Sequence, residues 1–202
     1  MTECNWFVDH GGTQELWPTV THFPRTTPRP YRLYRLLTDL EDLLSHTSDD
    51  QQRLEAIYPL VRCFLADSAW LQYFPIAPNP DTGWAVEILY DEPDFPLTVQ
   101  LVAWHPQQVS PIHNHGCWGL VALLRGQEEN RFWGRSPADP NQLVTAGRQV
   151  LDAGDLIGFM PDTIHQVEAL GNEPTVSFNI YGETDYDQRF EFDLTNGTAT
   201  NF

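Results

Sequence analysis

The hydrophobic positions of this chain change their spacing near residue 80. From Tyr31 to Phe74 apolar side chains recur every three or four residues, which predicts helices. They form two runs: Leu33, Leu36, Leu37, Leu40, Leu43 and Leu44, then Leu54, Ile57, Tyr58, Val61 and Leu65. The Ser48-Asp49-Asp50 segment between them contains residue types that cap a helix N-terminus, so we expect the second helix to begin there. Residues 1–30 show no regular period.

Beyond residue 80 the apolar period becomes that of strands. Short runs rich in β-branched or aromatic residues are separated by Gly, Pro, Asn and Asp, as in all-β sandwiches and barrels. The runs are Trp84–Tyr90, Leu97–Trp104, Trp118–Leu124, Glu128–Trp133, Val144–Val150, Leu156–Met160 and Thr175–Tyr181. We therefore predict one compact domain in which residues 1–80, irregular and then helical, pack on a β-barrel formed by residues 81–202.

Composition narrows the classes of partner. The chain has 202 residues, and its net charge of −17 comes from 28 acidic side chains against 11 arginines, with no lysine. Such a surface repels nucleic acid and anionic lipid, so we expect neither as a partner. Three widely spaced cysteines and the absence of a secretion signal or long apolar run predict a cytoplasmic protein without disulfides. The oligomeric state stays open.

The candidate chemistry lies in three histidines. His113 and His115 are separated by one residue in Ser110-Pro111-Ile112-His113-Asn114-His115-Gly116, and His165 follows about fifty residues later. Side chains at i and i+2 of a strand leave the same face, so the first two imidazoles can meet at one point. A third imidazole from a neighbouring strand would complete a site for a divalent transition metal.

The other histidines have no such context. We expect them to be surface or capping residues; they are His10, His22, His46 and His105.

The order of these motifs resembles the cupin superfamily. His-x-His is followed by a turn glycine at Gly126, then by Gly-Asp and Pro-x-x-x-His, and cupins are jelly-roll barrels with a metal at the centre. Where most cupins add a glutamate ligand, this chain has Gly119. Three neutral ligands leave a net 2+ metal centre, which favours binding of an anionic thiolate. The chain is thus similar to the thiol dioxygenases, which include cysteine dioxygenase and 3-mercaptopropionate dioxygenase.

That resemblance extends from about Trp84 to Arg189. It is carried by these segments: 110–115, Trp118-Gly119-Leu120, Leu124-Arg125-Gly126, 164–168 and Ser177-Phe178-Asn179-Ile180-Tyr181-Gly182. It implies a mainly β cupin jelly-roll barrel with an N-terminal helical cap, and Fe(II) bound by His113, His115 and His165. The substrates would be a small thiol and dioxygen, and the product a sulfinate. Three imidazoles also bind Ni(II) or Zn(II), so the metal found in isolated protein can differ.

Further residues acquire roles through the resemblance. Tyr181 corresponds to a tyrosine whose hydroxyl reaches substrate and oxygen, and Ser177 and Asn179 share its strand face by alternation. Asn179 replaces the family's histidine, so it can form hydrogen bonds but cannot titrate. Animal cysteine dioxygenases have a cysteine, which can crosslink to the tyrosine, where this chain has Gly119; nearby Cys117 is expected to be buried and free.

The sequence indicates less clearly which residue would bind the part of the substrate beyond its thiol group. Glu87 falls roughly where the family has an arginine or glutamine for the substrate carboxylate, and alternation along its strand predicts that it faces inward. Arg189, eight residues after Tyr181, resembles an arginine of the mercaptopropionate enzymes. The identity of the thiol therefore stays open. So do two other functions: a cupin oxygenase that cleaves a diketone-like substrate, and a non-catalytic cupin that binds a metal or small molecule.

Overall fold

A computed structural model describes residues 3–18, 30–139 and 142–202. Helices α1 and α2 are Leu33–His46 and Asp50–Asp67, and short 3-10 helices cover Ala69–Tyr73 and Tyr186–Gln188. The strands are β1 Asn5–Val8, β2 Gln14–Trp17, β3 Trp84–Glu92, β4 Phe95–Trp104, β5 Ile112–His113, β6 Gly119–Arg125, β7 Gln127–Arg135, β8 Leu143–Asp152, β9 Leu156–Phe159, β10 Ile164–Leu170, β11 Thr175–Gly182, β12 Phe190–Asp193 and β13 Thr198–Asn201.

The strands form two sheets. One has the order β2-β1-β9-β6-β11-β4-β3, and the other the order β13-β12-β5-β10-β7-β8. Almost all neighbours are antiparallel, and from β4 to β7 and from β8 to β12 successive strands alternate between the two sheets, as in a jelly roll. The prediction of a mainly β jelly-roll is confirmed.

A compact apolar cluster fills one part of the space between the sheets. It contains buried side chains from both: Val8, Val121, Leu123, Phe132, Leu151, Ile157 and Phe159. The prediction that Gly126 closes a hairpin is also confirmed, because this glycine joins β6 to β7 with a φ of 82°. A Cβ there would come within 2.8 Å of the Thr175 side chain, so both the turn and the close packing require glycine.

The expectation of no regular structure before residue 30 is wrong for residues 5–17. Asn5–Val8 pairs in parallel with β9 and antiparallel with Gln14–Trp17. Asp155 holds this strand in place, since its carboxylate accepts hydrogen bonds from the backbone N–H groups of Cys4, at 2.8 Å, and Asp152, at 2.9 Å. Four-residue strands leave almost no periodic signal, which also explains why β12 and β13 were not predicted.

The two helices are confirmed and belong to a separate compact unit, residues 18–75, whereas residues up to Trp17 and from Ile76 onward form the other. Within α2, Leu54, Ile57 and Phe64 are buried. Asp49 caps this helix through a 2.9 Å hydrogen bond from the Gln52 N–H. Packing of the helices on the barrel, as one domain divided at residue 80, stays a prediction. No helix in the described ranges is long and apolar enough to span a membrane.

Candidate metal centre

The three histidines meet at one point inside the barrel. His113 ends β5 and pairs directly with His165 on the adjacent strand β10. His115 lies just beyond β5, with its ring centroid 4.8 Å from that of His113. One ring nitrogen from each residue lies within 4.8 Å of the other two, and the Nε2 atoms of His115 and His165 are 2.9 Å apart.

Asn114, between the two histidines, fixes the turn that presents them. Its Oδ1 accepts a 2.8 Å hydrogen bond from the Phe190 N–H, and its Nδ2 donates to the Gln188 carbonyl at 2.7 Å. Gly116 then has a φ of 63°, and a Cβ there would come within 2.5 Å of the Asp185 carbonyl oxygen. Hydrogen bonds to the segment before β12 and a tight glycine turn therefore orient the His-x-His motif.

The hydrogen bonds of two histidines determine which nitrogen is available to a metal. His113 Nδ1 donates to the Pro111 carbonyl at 3.0 Å, and His165 Nδ1 donates to Asn130 Oδ1 at 3.1 Å. Both therefore carry the proton on Nδ1 and leave the Nε2 lone pair free, an arrangement typical of metal-bound histidines.

Burial keeps the three rings neutral. Desolvation lowers the pKa of His113, and lowers the pKa values of His115 and His165 well below their ordinary value. His113 also lowers the pKa values of His115 and His165, His115 lowers that of His165, and the Arg189 charge lowers those of His113 and His115. Neutral imidazoles are the form that binds metal.

The donor set fits a divalent transition metal. Metal–imidazole bonds of about 2.0–2.1 Å place two ligands at right angles about 3 Å apart, close to the separation of the His115 and His165 nitrogens. Three imidazoles do not discriminate iron from nickel, copper or zinc. The site therefore has the composition and spacing of a metal centre, and the identity of the metal remains a proposal.

The histidines line a cavity of about 360 Å³ between the sheets, a volume in the range of small-ligand sites. Most of its wall is apolar, and its polar groups come from β4, β7, β10, β11 and β12 and from the segments before β3 and around β5. Its lining includes Trp84, Val86, Gln100, Val102, Trp104, Val109, Val121, Glu128, Asn130, Phe159, Val167, Ser177, Asn179, Tyr181, Arg189, Glu191 and Phe202.

The structure brings the three β11 residues to this cavity. Ser177, Asn179 and Tyr181 all line it, as alternation along the strand requires. Ser177 and Asn179 are buried, and Asn179 Oδ1 has no hydrogen-bond partner among the described residues. Tyr181 stacks on His115, with ring centroids 4.8 Å apart and an interplanar angle of 27°.

Gly119 lies directly opposite Tyr181. The two residues pair across β6 and β11, and a Cβ at Gly119 would lie 2.9 Å from the Tyr181 ring. The tyrosine therefore occupies the space that a side chain at position 119 would need. Desolvation is the largest cause that raises the pKa of the Tyr181 hydroxyl, so it stays protonated and can donate a hydrogen bond into the cavity.

Arg189 also reaches the cavity. Its Cζ lies 4.2 Å from the centroid of the Phe202 ring, and the same ring meets His113 edge-on at 6.4 Å. Its Nε is buried and has no hydrogen-bond partner in the described part of the chain. A guanidinium with an unused donor beside the histidines is suited to bind an anionic group.

The expectation that Glu87 faces inward is wrong. Glu87 is exposed and absent from the cavity lining, whereas Trp84 and Val86 are present in it. Val86 and Glu87 are adjacent and point to opposite faces, so inward alternation selects Val86. The register of β3 also shifts between Ile88 and Tyr90, which an ungapped count along the sequence cannot detect.

Two polar residues of β7 were missed at the sequence level. Glu128 and Asn130 are buried and line the cavity, and Asn130 holds His165. Both alternate with Phe132 on the inner face. Glu128, Glu129 and Asn130 are three polar residues in a row, as in a solvent-exposed turn. The only sequence feature that indicated an inward orientation for Glu128 and Asn130 is their two-residue alternation with Phe132.

The remaining candidate residues lie away from the cavity. His10, His46 and His105 are exposed, and His22 lies outside the described residues. Cys117 is buried, as expected, and its Sγ accepts a 3.6 Å hydrogen bond from Thr184 Oγ1.

Comparison with known proteins found similar solved structures. No protein-family model matches the chain. An oxalate oxidase solved with glycolate is 16% identical, with a TM-score of 0.42, and the match covers 55% of this chain and 57% of that one. A cupin superfamily protein from Desulfitobacterium hafniense DCB-2 is 13% identical, with a TM-score of 0.43, covering 56% of this chain and 87% of that one. KdgF from Halomonas sp. is 18% identical, with a TM-score of 0.41, covering 53% and 86% respectively.

The chain thus spans little more than half of the oxalate oxidase that it matches. All three TM-scores lie below 0.5, so these matches decide neither substrate nor reaction.

Proposed function

We propose that this protein is a mononuclear non-haem iron thiol dioxygenase, which oxidises a small thiol to its sulfinate with dioxygen. One observation carries the proposal: a cluster of three neutral histidines, which includes no carboxylate from the described residues, lies against a half-buried tyrosine that stacks on one of them. Both oxygen atoms of dioxygen would go to sulfur, so the thiol is oxidised and dioxygen reduced without a further co-reactant.

The three histidines would hold the iron. When bound, Fe(II) would supply a 2+ charge that favours the thiolate and open positions for the two reactants. Asn130 and the Pro111 carbonyl would keep His165 and His113 in the ligating tautomer through the hydrogen bonds described above.

Tyr181 and Arg189 would act on the reactants. The protonated Tyr181 hydroxyl would donate a hydrogen bond to substrate or oxygen, because its raised pKa excludes the phenolate at neutral pH. Arg189 would bind a carboxylate on the thiol through its unused N–H donors. Ser177 and Asn179 would orient the ligand from the same strand face.

The apolar part of the wall would exclude water. Val102, Val121 and Phe159 leave few competing hydrogen bonds near the histidines, which strengthens the electrostatic contacts with the ligand.

The test is anaerobic reconstitution with Fe(II), followed by oxygen-electrode assays with cysteine, 3-mercaptopropionate, cysteamine and a diketone. We expect oxygen uptake that follows thiol concentration, and a sulfinate detected by mass spectrometry. Uptake with the diketone alone would replace the proposal by a carbon–carbon-cleaving oxygenase. No turnover with any compound, at verified iron loading, would favour a non-catalytic binding protein.

Metal loading tests the ligand set independently. His113→Ala, His115→Ala and His165→Ala should each lose stoichiometric metal, because two imidazoles hold a divalent ion far more weakly than three. His105→Ala, which removes an exposed histidine, is the matched control and should load as the wild type does. Equal metal in all four variants, by elemental analysis, would exclude this site.

A further inference from the structure

A buried acid in the cavity has no role in the proposed reaction. Glu128 is 2% exposed, and its Oε1 accepts a 2.5 Å hydrogen bond from Thr175 Oγ1. No ion pair to Glu128 occurs among the residues that the structure describes. The adjacent Glu129 differs, since it pairs with Arg131 at 2.5 Å and with Arg148 at 3.4 Å.

Placing a carboxyl group there is unfavourable without a ligand. Burial raises the pKa of Glu128 to about 7, so the ionised form lacks the stabilisation that water or a cation would supply. Desolvated carboxylates are normally paired with a positive group. The cavity, to which this side chain is open, is where such a group can enter.

A second unused acceptor faces the same space. Asn179 is 4% exposed, and its Oδ1 has no hydrogen-bond partner in the described ranges. Ser177 lies between Thr175 and Asn179 on the inner face of β11 and also lines the cavity. The carboxylate, the amide oxygen and the hydroxyl provide three buried acceptors in one cavity, whereas Glu191, the other acid in the described lining, lies on β12 and is only half-buried.

We infer that Glu128, Ser177 and Asn179 form a second polar subsite that binds the primary ammonium group of the ligand. An alkylammonium has three N–H donors and one positive charge, which match three acceptors and one carboxylate. A Ca²⁺ ion would require six or more oxygen ligands, more than this subsite offers. The inference rests on the proposed function, in which the ligand's thiol lies at the histidines, and it narrows the substrate to a thiol that carries an amine.

The test measures binding without turnover. The iron-loaded protein is titrated under anaerobic conditions with cysteamine and with ethanethiol, which differ only by the amine, by calorimetry. The wild type should bind cysteamine about 10-fold more tightly or better, because a charge-assisted hydrogen bond in a desolvated site contributes at least that factor. In Glu128→Gln, which keeps the acceptor for Thr175, the affinity ratio should fall close to one.

Two further variants complete the design. Glu87→Gln removes an exposed glutamate outside the cavity and should keep the wild-type ratio. Asn179→Leu removes the second acceptor and should lower the ratio in the same direction, which keeps the inference testable if Glu128→Gln does not fold. The inference is wrong if the wild type binds cysteamine and ethanethiol with equal affinity. It is also wrong if Glu128→Gln and Asn179→Leu both keep the wild-type ratio of these two affinities.

A probe without sulfur separates this inference from the proposed function. 1-Propylammonium has the shape of cysteamine with a methyl group in place of the thiol. Raised thermal stability of the wild type with this probe, lost in Glu128→Gln, would support the subsite even if no thiol is oxidised. If the protein forms a sulfinate but amine binding is the same in the wild type and in Glu128→Gln, the proposed reaction stands and the proposed subsite is wrong.

Discussion

Single residues around the histidines have functions that their type alone does not reveal. Asn114 separates two ligands in the sequence, but its side chain is engaged with the backbone of residues 188 and 190. Asn130 fixes the tautomer of His165 through one hydrogen bond. Gly119 contributes by having no side chain, because the Tyr181 ring fills the adjacent space. The orientation of the site therefore depends on residues that never touch a metal.

Gly119→Ala tests this last point. The new Cβ would lie 2.9 Å from the Tyr181 ring, so the ring must move off His115. We expect the free energy of unfolding to fall by about 1–3 kcal/mol, the usual cost of overpacking a core. Thiol oxidation should fall to a rate near that of Tyr181→Phe, which keeps the ring and removes the hydroxyl.

Thermal unfolding and initial rates of sulfinate formation measure the two effects, at equal iron content. Gly11→Ala, in an exposed turn where a Cβ has its nearest neighbour at 3.4 Å, serves as the control. Wild-type activity in Gly119→Ala would show that the position of the Tyr181 ring does not matter.

Of the secondary-structure elements, the two-residue strand β5 depends most on its neighbours for its position. Ile112–His113 lies between β10 and β12, so its position depends on contacts outside its own length. Ser110 supplies one of them, because its hydroxyl accepts a 2.9 Å hydrogen bond from the Val167 N–H and donates to the Pro111 carbonyl at 2.8 Å. That carbonyl in turn accepts from His113.

Ser110→Ala should therefore weaken the metal site without removing a ligand. Loss of the hydroxyl leaves the Val167 N–H without this acceptor, at a cost of about 1–3 kcal/mol in unfolding free energy. Metal affinity should fall about 10-fold or more, as for other residues that orient a ligand. Competition with a chelator of known affinity measures it, and Ser45→Ala, at the exposed end of α1, should bind metal as the wild type does. An unchanged metal affinity in Ser110→Ala would show that Ser110 does not control the orientation of His113.

Helices and strands could be predicted from the sequence where a regular spacing of hydrophobic residues extended over many residues. Both helices were found from their three-to-four spacing, and seven strands from runs of β-branched and aromatic residues: β3, β4, β6, β7, β8, β9 and β11. No such run was predicted for β5 or β10. Glu87 was assigned to the wrong face because the β3 register shifts near Ile88, a change in pairing that leaves no mark on residue spacing. Glu128 was overlooked because a buried acid has the same sequence signature as an exposed one.

For the molecule as a whole, one buried carboxyl couples stability to pH. Burial raises the pKa of Glu128 from its ordinary value of 4.5 to about 7. Between these two values the folded protein keeps a proton that the unfolded chain has already released. Stability therefore falls as pH rises through this window, and the full penalty, about 3 kcal/mol, is present above pH 7.

Glu128→Gln removes this penalty, since the amide does not titrate. The unfolding free energy of the metal-free wild type, minus that of the variant, should decrease by about 3 kcal/mol between pH 4.5 and 7.5. Denaturant titrations at several pH values give this difference, in which the contributions of the histidines cancel. Glu87→Gln controls for the change in net charge. A difference that stays constant with pH would show that Glu128 ionises in the folded protein as it does in the unfolded chain.

The parallel pairing of β1 with β9 has a consequence for how the chain reaches its native state. Residues 5–8 pair with the nearby β2 on one edge, but on the other edge they join β9, a strand about 150 positions further along, so that edge has no partner until β9 has been synthesised. Pairings this distant in sequence are slow to form, because a long loop must close before any contact repays its entropy. In the meantime Phe7 and Val8, both buried in the end, are exposed beside an unpaired backbone, which is the usual starting point for aggregation. The edge of β1 that faces β9 is thus among the last parts of the barrel to be paired, and the chain is most prone to aggregation while the barrel assembles.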